Sequence, residues 1–213
     1  MTNIIFLGFE QHCGKDTVGE ILVKNYNYKR VSFADAVKLE LAEKLNIDVK
    51  ILQQQGPEKE KYRSQMIEFA ESERKKNPYV WINKAFEPYM TNLKTFKPNL
   101  NLVVTDFRRD AEVEWYYSIW TEIQKRNSLY YKNPKYKAEL DLKLFHIIRP
   151  ELEGKDKDTL THKTIGLVYG IELVYPGFIN SVIYNDSTIE NLELKIQLAM
   201  QNQDNTIFGQ KIN

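Results

Sequence analysis

The sequence predicts an α/β protein in which a mostly parallel sheet carries helices on both faces. Two observations lead to this class. Short apolar runs alternate along the chain with stretches of helical periodicity, and a largely apolar run at 100–105 lies between Pro98-Asn99 and Asp106. Such a run is typical of a parallel strand covered on both faces, and alternating strands and helices supply the two covering layers.

Composition narrows the classes of function. Lys and Arg number 30 while Asp and Glu number 29, so the net charge is +1, whereas proteins that bind polymeric nucleic acid usually carry a basic excess. Apolar runs such as Ile4–Leu7 are far too short to span a membrane. The lone Cys13 excludes an intrachain disulfide. We therefore expect a cytoplasmic protein that engages neither a membrane nor a polymeric nucleic acid.

The elements follow in order from the periodicity of apolar residues. In the first half of the chain, the pattern predicts a strand at 3–7, a helix from 16 and a second strand at 28–33. Two helical stretches follow, one from 35 and one at 58–89. Asp35 is a candidate N-cap, and Asn77-Pro78 breaks the last stretch. In the second half, the pattern predicts strands at 100–105, 142–148 and 181–184 and helices at 113–123 and 189–200. A polar insertion at 127–141, a charged loop at 151–163 and a polar tail at 201–213 complete the chain.

The most informative segment is the loop from Gly8 to Thr17, which follows a strand and opens a helix. This is the context of a phosphate-binding loop, because backbone N–H groups at a helix N-terminus attract anions. Lys15 is then expected to reach the phosphates. The pattern is irregular, since counting back from Gly14 places Phe9 where the usual loop has its first glycine. The alternative is a plain strand–turn–helix connection.

Further segments follow the loop in a set order. The loop ends in Gly-Lys-Asp-Thr, and after it come Ser32–Asp35 with Lys38, Arg63 through Arg74 to Trp81, Val104–Arg108 with Glu112, Ile147–Pro150 and Val182–Asp186. Together these segments resemble the phage-type deoxynucleoside monophosphate kinases, a branch of the P-loop nucleotide kinases. The sequence departs from the family pattern at two places. The first is Phe9. The second is Thr161–Thr164, which keeps the histidine of the family pattern, His162, but lacks the glutamate that follows it.

The resemblance implies a single P-loop kinase-like domain, 1–213, folded as a three-layer sandwich. A helical monophosphate-binding flap is inserted at about 34–97, and 151–164 is a short lid loop. It further implies a homodimer that binds ATP, Mg²⁺ and a deoxynucleoside monophosphate, and forms the diphosphate.

The resemblance also assigns roles to residues. Lys15, Arg108 and Arg149 are the expected catalytic residues. ATP is expected to bind His12, Cys13, Gly14, Lys15, Asp16 and Thr17. The acceptor is expected to bind Phe33, Asp35, Lys38, Arg63, Arg74, Trp81, Asp106 and Arg108. Mg²⁺ is expected near Asp16, Thr17 and Asp106, through water.

Most of these residues have a simpler explanation as well. Asp106 is also a candidate helix N-cap, and an Arg in a charged helix such as Arg63 or Arg74 is often solvated. An aromatic residue such as Phe33 or Trp81 is often part of a core. Asp35 and Lys38 are spaced as a surface ion pair on one helix.

Two other functions remain open on the sequence. Another small-molecule P-loop kinase, such as a phosphomevalonate-type enzyme, shares the Gly-Lys-Asp loop. A non-catalytic nucleotide-binding or switch protein is the third class, although Asn83–Phe86 lacks the Asp of a guanine-reading Asn-Lys-x-Asp segment.

Overall fold

The first strand occupies the centre of a five-stranded sheet. The computed structural model describes residues 1–54, 56–92, 95–130, 139–152 and 159–201. Its strands are β1 Thr2–Gly8, β2 Lys29–Val31, β3 Met90–Asn92, β4 Thr95–Phe96, β5 Asn101–Val104, β6 Leu140–Ile148 and β7 Ser181–Tyr184. Its α-helices are α1 Lys15–Tyr26, α2 Phe33–Leu45, α3 Lys50–Gln53, α4 Pro57–Lys76, α5 Val80–Phe86, α6 Asp110–Tyr130, α7 Thr159–Val174 and α8 Ile189–Gln201.

The sheet has the strand order β2-β5-β1-β6-β7. β1 pairs in parallel with β5, where Phe6 lies opposite Val104, and with β6, where Gly8 lies opposite His146. β6 in turn pairs in parallel with β7. The predicted mostly parallel sheet is confirmed. Because parallel strands end at the same edge, the segments that follow β1, β5, β6 and β7 all leave the sheet there.

Alternating residues of β1 face two different helical layers. Ile5 and Leu7 belong to a buried cluster with residues of α1 and α8, which include Val18, Ile21, Leu22, Leu192, Ile196 and Ala199. Phe6 points to the opposite face, where its ring meets Phe107 at 5.2 Å and Tyr116 of α6 at 5.1 Å. A strand of period two buried on both faces requires a layer on each, and the predicted three-layer sandwich is confirmed.

Helix α1 approaches the sheet closely because it carries a glycine. A Cβ added to Gly19 would lie 2.6 Å from Cγ2 of Thr105, which is closer than two carbon atoms can pack. Gly19 therefore lets α1 lie against the end of β5. This contact brings the start of α1 beside the segment after β5, where sequence analysis expects functional residues.

The chain divides into two units, one formed by Met1–Arg30 with Pro98–Asn213 and the other by Val31–Lys97. The second unit contains α2 to α5, the antiparallel pair β3–β4 and a core around Leu41, Ala42 and Leu52. The single-domain organisation with an inserted flap stays a prediction.

Several element boundaries differ from the sequence-based ones. α2 begins at Phe33, because the side chain of Ser32 accepts a hydrogen bond from the Asp35 N–H and is the N-cap. Asp35 itself lies in the first turn, so its prediction as N-cap is wrong. The hairpin β3–β4 has no counterpart in the sequence analysis, since its strands are too short to give a period-two signal.

The stretch around α7 also differs from expectation. α7 begins at Thr159, so the end of the predicted lid loop is helical, and 153–158 lie outside the described residues. Two glycines, Gly166 and Gly170, weaken the helical signal of α7 in the sequence. Residues 127–130 belong to α6, while 131–138 of the predicted insertion and 202–213 of the tail lie outside the described residues.

Candidate active site

The loop between β1 and α1 is closed by a glycine that no other residue can replace without strain. Gly14 has φ +101° and stands immediately before α1. A Cβ at this position would lie 2.3 Å from Nδ2 of Asn185, and that same amide donates a hydrogen bond to the carbonyl of Cys13 at 3.0 Å. Conformation and close approach both require glycine here, so the segment after β7 clamps the end of the loop.

Lys15 folds back over the loop. Its Nζ donates to the carbonyl oxygen of Phe9 at 3.3 Å and also contacts the carbonyl of Glu10. The thiol of Cys13 donates to the same Glu10 carbonyl at 3.2 Å, and burial raises the pKa of that thiol. Cys13 is therefore a buried, protonated filler, while the Lys15 ammonium is held at the loop by acceptors that a phosphate oxygen can replace.

Phe9 fits the loop by turning its ring into the interior. The ring is fully buried and lies edge-on to His146 at 5.1 Å and tilted against Phe107 at 5.7 Å. The missing first glycine is thus compensated by an aromatic contact below the loop. The next residue, Glu10, places its carboxylate 3.3 Å from Nε2 of the same His146.

The segment after β5 lies beside the loop. A Cβ added to Gly8 would lie 3.5 Å from the carbonyl of Phe107, so the two backbones are in van der Waals range. Oε2 of Glu112 accepts hydrogen bonds from the backbone N–H of Arg108 at 2.7 Å and of Arg109 at 2.9 Å. Asp106 is not a helix N-cap, because α6 begins only at Asp110.

Arg149 and Asn185 follow the next two strands at the same edge of the sheet. Arg149 comes directly after β6 and forms a salt bridge of 3.5 Å with Glu151, with nearly half of its side chain exposed. The backbone N–H of Asn185 donates to the carbonyl of Ile148 at 2.7 Å. The first unit therefore collects Lys15, Arg108 and Arg149 on segments that leave one edge of one sheet.

The oxygen atoms expected to serve Mg²⁺ lie on the same unit. Asp16 is 78% exposed and its Oδ1 lies 3.5 Å from an Arg30 guanidinium nitrogen, while Arg30 Nε donates to Thr105 at 3.2 Å. Thr17 and Asp106 are partly exposed. No cluster of three His, Cys, Asp or Glu exists among the described residues. Carboxylate and hydroxyl oxygens that leave room for water and substrate phosphates are the donor set Mg²⁺ uses in kinases, so these residues fit the ion.

The second unit carries the other predicted substrate residues. Lys38 forms a half-buried salt bridge of 2.6 Å with Asp35 on α2. Lys59, at the start of α4, forms no hydrogen bond or salt bridge with a described residue. Its pKa is lowered by burial and by the charges of Lys38 and Arg63, which outweigh Glu60 and Asp35. Cations of α2 and α4 therefore lie within electrostatic range of one another.

The remaining predicted substrate residues have ordinary structural contacts. Arg63 pairs with Glu60 at 3.2 Å on an exposed face, and Arg74 pairs with Glu71 at 2.9 Å. Trp81 is only 2% exposed and its indole N–H donates to the carbonyl of Ala70 at 3.1 Å. Phe33 is equally buried against Phe86. Both rings are core residues of this unit, and the expectation that either stacks on a base stays a prediction.

Sequence reasoning assigned no role to several residues of these sites. Lys59 lies one turn before Arg63 on α4, a spacing that could have linked them. The others, which are Glu10, Arg30, Glu112, His146 and Asn185, meet their partners across the sheet edge or across a helix start, and no local pattern reveals such contacts.

No helix within the described ranges is both long and apolar enough to cross a membrane. The sequence comparisons point to one family. A family model described as phosphomevalonate kinase matches residues 8–122, more than half of the chain. A phosphomevalonate kinase of Drosophila melanogaster is 29% identical over 118 residues, which cover 54% of this chain and 60% of that protein. The matched stretch thus spans less than two thirds of the relative's length.

Three solved kinase structures also match over most of the chain. Shikimate kinase from Acinetobacter baumannii in complex with shikimate has a TM-score of 0.44 at 13% identity and covers 94% of both chains. Shikimate kinase from Aquifex aeolicus vf5 has a TM-score of 0.36 at 13% identity, covering 93% of this chain and 96% of the other. Dephospho-CoA kinase from Campylobacter jejuni has a TM-score of 0.27 at 14% identity, covering 94% and 95%.

Proposed function

The chain belongs to the phosphomevalonate kinase family, and from this premise we propose that it transfers the γ-phosphoryl group of ATP to the phosphate of phosphomevalonate. The observation that carries the proposal is the family match over residues 8–122, which includes the phosphate loop, all of the second unit and the segment after β5. The products are ADP and a diphosphate ester.

The loop after β1 is proposed as the site for the ATP phosphates. Its backbone ends at the N-terminus of α1, where N–H groups and the helix dipole favour an anion. Lys15 exchanges the carbonyls of Phe9 and Glu10 for phosphate oxygens. Arg108 and Arg149 supply further positive charge from the same sheet edge, because phosphoryl transfer depends on positioning and charge neutralisation more than on covalent chemistry.

Asp16, Thr17 and Asp106 would hold Mg²⁺, and the ion would supply positive charge that neutralises the phosphates. The protein's own contribution is orientation. Glu112 fixes the backbone of Arg108, and Asn185 fixes the end of the loop. The acceptor's phosphate oxygen is the nucleophile, and it attacks the γ-phosphorus while the bond from that phosphorus to the ADP oxygen breaks.

The acceptor's own phosphate is proposed to bind the cations of the second unit. Lys38 and Arg63 pair with Asp35 and Glu60, yet the positive charges still outweigh these carboxylates at Lys59, and a bound anion would relieve this repulsion. A phosphate monoester supplies two negative charges and suits this set. The half-buried Asp35–Lys38 pair holds one of the cations in position.

A deoxynucleoside monophosphate is the second candidate acceptor, and the order of motifs from Lys15 to Asp186 favours it. The burial of Phe33 and Trp81 argues for the first candidate, because a nucleobase gains from an exposed aromatic face and phosphomevalonate has no base. Both acceptors present a phosphate monoester to the same cations. They differ in the rest of the molecule, which is a nucleoside in one and has no base in the other.

A coupled assay of ADP release tests the proposal with phosphomevalonate, with each deoxynucleoside monophosphate, and with mevalonate as the matched control that lacks the acceptor phosphate. We expect turnover with phosphomevalonate and none with mevalonate, and no turnover in Lys15→Ala with any acceptor. Turnover with the deoxynucleotides alone would move the assignment to the second candidate. A protein that turns over neither class of acceptor would contradict the proposal.

A further inference from the structure

The segment Thr161–Thr164, where the sequence departs from the nucleotide kinase pattern, lies in the first turns of α7. Thr161 and Thr164 are both buried, and the buried stripe continues along the helix through Val168 and Glu172. Spacings of three and four residues place these four side chains on one face of α7. That face is packed against the interior of the first unit, and it carries hydroxyl groups into that interior.

The hydroxyl of Thr164 reaches α6. Thr164 Oγ1 donates a hydrogen bond of 2.6 Å to Oδ1 of Asp110, a residue 54 positions earlier in the chain. A hydroxyl–carboxylate hydrogen bond of this length is charge-assisted and stronger than a neutral one. The second carboxylate oxygen, Oδ2, lies 3.2 Å from Nζ of Lys163. Two consecutive residues of α7 therefore hold both oxygens of Asp110.

The two contacts with Asp110 differ in strength. Three quarters of the Lys163 side chain is exposed, and ion pairs of exposed side chains contribute little to stability. The Thr164 hydroxyl is shielded from water, so its hydrogen bond to the carboxylate has little competition from solvent. The bond from Thr164 is therefore the contact that fixes Asp110.

Asp110 is the first residue of α6 and directly follows Arg108 and Arg109. Glu112, in the same turn, accepts hydrogen bonds from the backbone N–H groups of both arginines. The first turn of α6 is thus held from two sides, to the arginines by Glu112 and to α7 by Asp110. Because Glu112 and Asp110 share one helical turn, a shift of Asp110 would move the backbone of Arg108 with it.

We propose that Asp110 and Thr164 are positioning residues for phosphoryl transfer, which hold the first turn of α6 on α7 and thereby fix the backbone of Arg108. Both act through Arg108 rather than on the phosphates themselves. This inference rests on the proposed function, in which Arg108 neutralises charge on the transferring group. Positioning matters in such a reaction because a displacement of about 1 Å can lower the rate on the order of a hundredfold.

Steady-state kinetics of ADP release, with phosphomevalonate and with the deoxynucleoside monophosphates as acceptors, test the inference. Thr164→Val retains the shape of the side chain and removes its hydroxyl. We expect kcat to fall about tenfold while both KM values stay within about twofold of the wild type, since a contact made only in the transition state lowers kcat and kcat/KM together. Thr164→Ser retains the hydroxyl and is expected to recover most of kcat.

Thr121→Val is the matched control on α6. Its hydroxyl donates within the same helix, to the carbonyl of Ser118 at 2.9 Å, and the side chain lies on the exposed surface. The substitution therefore removes a threonine hydroxyl without touching the contact between α6 and α7. We expect Thr121→Val to retain the wild-type kcat, and an equal loss of kcat in Thr121→Val and Thr164→Val would overturn the inference.

A double variant shows whether Asp110 and Thr164 act as a pair. Asp110→Ala is expected to lower kcat about as much as Thr164→Val, and the double variant no further, since all three remove the same hydrogen bond. Asp110→Asn retains an acceptor oxygen for Thr164, so its kcat is expected to lie between those of Asp110→Ala and the wild type. Independent effects, which would multiply to about a hundredfold in the double variant, would overturn the pairing.

Urea unfolding of each variant separates positioning from stability. A hydrogen bond with a purely structural role would lower the free energy of unfolding in Thr164→Val and leave kcat unchanged, and that result overturns this inference alone. A wild-type protein that turns over neither class of acceptor overturns the proposed function and this inference together. Should Thr164→Val fail to fold, the partly exposed Asp110 carries the test, and equal kcat values in Asp110→Ala and Asp110→Asn overturn the inference.

Discussion

The carboxylate of Glu112 holds two backbone N–H groups of the candidate site. It is buried in the first turn of α6, and one oxygen accepts from the N–H groups of Arg108 and Arg109. A glutamate at the third helical position that reaches back to the cap N–H is half of a capping box. The contact fixes where α6 begins and, through the backbone, the segment that carries Arg108.

We predict that Glu112→Ala lowers kcat about tenfold or more and destabilises the protein by about 2–4 kcal/mol, because two N–H groups lose their acceptor. Glu112→Gln retains one acceptor oxygen and is expected to recover much of both losses. Steady-state kinetics and urea unfolding measure the two effects. Glu122→Ala, an exposed position of the same helix, is the control. Equal kinetics in Glu112→Ala and Glu122→Ala would contradict the positioning role.

At the residue scale, sequence analysis identified the groups that a local motif marks. Gly14 and Lys15 follow from the loop's context, and the structure gives Gly14 the positive φ that such a loop needs. The partners Glu10–His146 and Cys13–Asn185 are 136 and 172 residues apart. Contacts at such separations depend on which strands are neighbours, and periodicity carries no information about that.

At the scale of elements, helix α4 carries positive charge, on Lys59 and Arg63, near the end where a helix favours negative charge. A cation in the first turn of a helix is disfavoured by the helix dipole, and the charge of Lys38 of α2 additionally lowers the pKa of Lys59. The lowered pKa of Lys59 means that its charged form destabilises the fold below that pKa. The Lys59 charge therefore lowers the stability of the folded protein, and a bound anion would offset this loss.

We predict that Lys59→Met raises the KM for the phosphorylated acceptor about tenfold, the loss of roughly one charge-assisted contact, while the KM for ATP stays unchanged. Methionine retains the aliphatic stem, and the melting temperature is expected to rise slightly because the repulsion with Lys38 is removed. Lys61→Met is the matched control on the same helix, since Lys61 is exposed and pairs with Glu58. An unchanged acceptor KM in Lys59→Met would remove Lys59 from the proposed site.

At the scale of the whole molecule, buried tyrosines determine the behaviour at high pH. Burial, aided by the charge of Asp141, raises the pKa of Tyr28 to about 12. Burial, aided by Tyr184, Glu10 and Glu172, raises the pKa of Tyr169 to about 12. Tyr116 is fully buried, and burial raises its pKa as well. The folded state therefore favours the neutral phenol of each.

Because the folded pKa values exceed the unfolded value near 10, this stability is fully present below about pH 10 and is lost as pH rises towards 12. We predict a loss of about 2–3 kcal/mol for each of Tyr28 and Tyr169 across that window. Urea unfolding between pH 8 and 12 measures the loss, and Tyr28→Phe removes one tyrosine's share. A Tyr28→Phe protein with the wild-type pH dependence would contradict this explanation.

The sequence by itself determined the fold class, the phosphate loop and most strands, since β7 and the centre of β1 follow from local apolar patterns that the sheet preserves. It led to the P-loop kinases, while the choice of phosphomevalonate as acceptor is a proposal that the family match and the burial of Phe33 and Trp81 support. Only the tertiary structure decided that Phe9 turns inward, that Ser32 caps α2, and that Glu10 rests on His146. These depend on contacts between strands and helices far apart in the chain, where local propensity does not act.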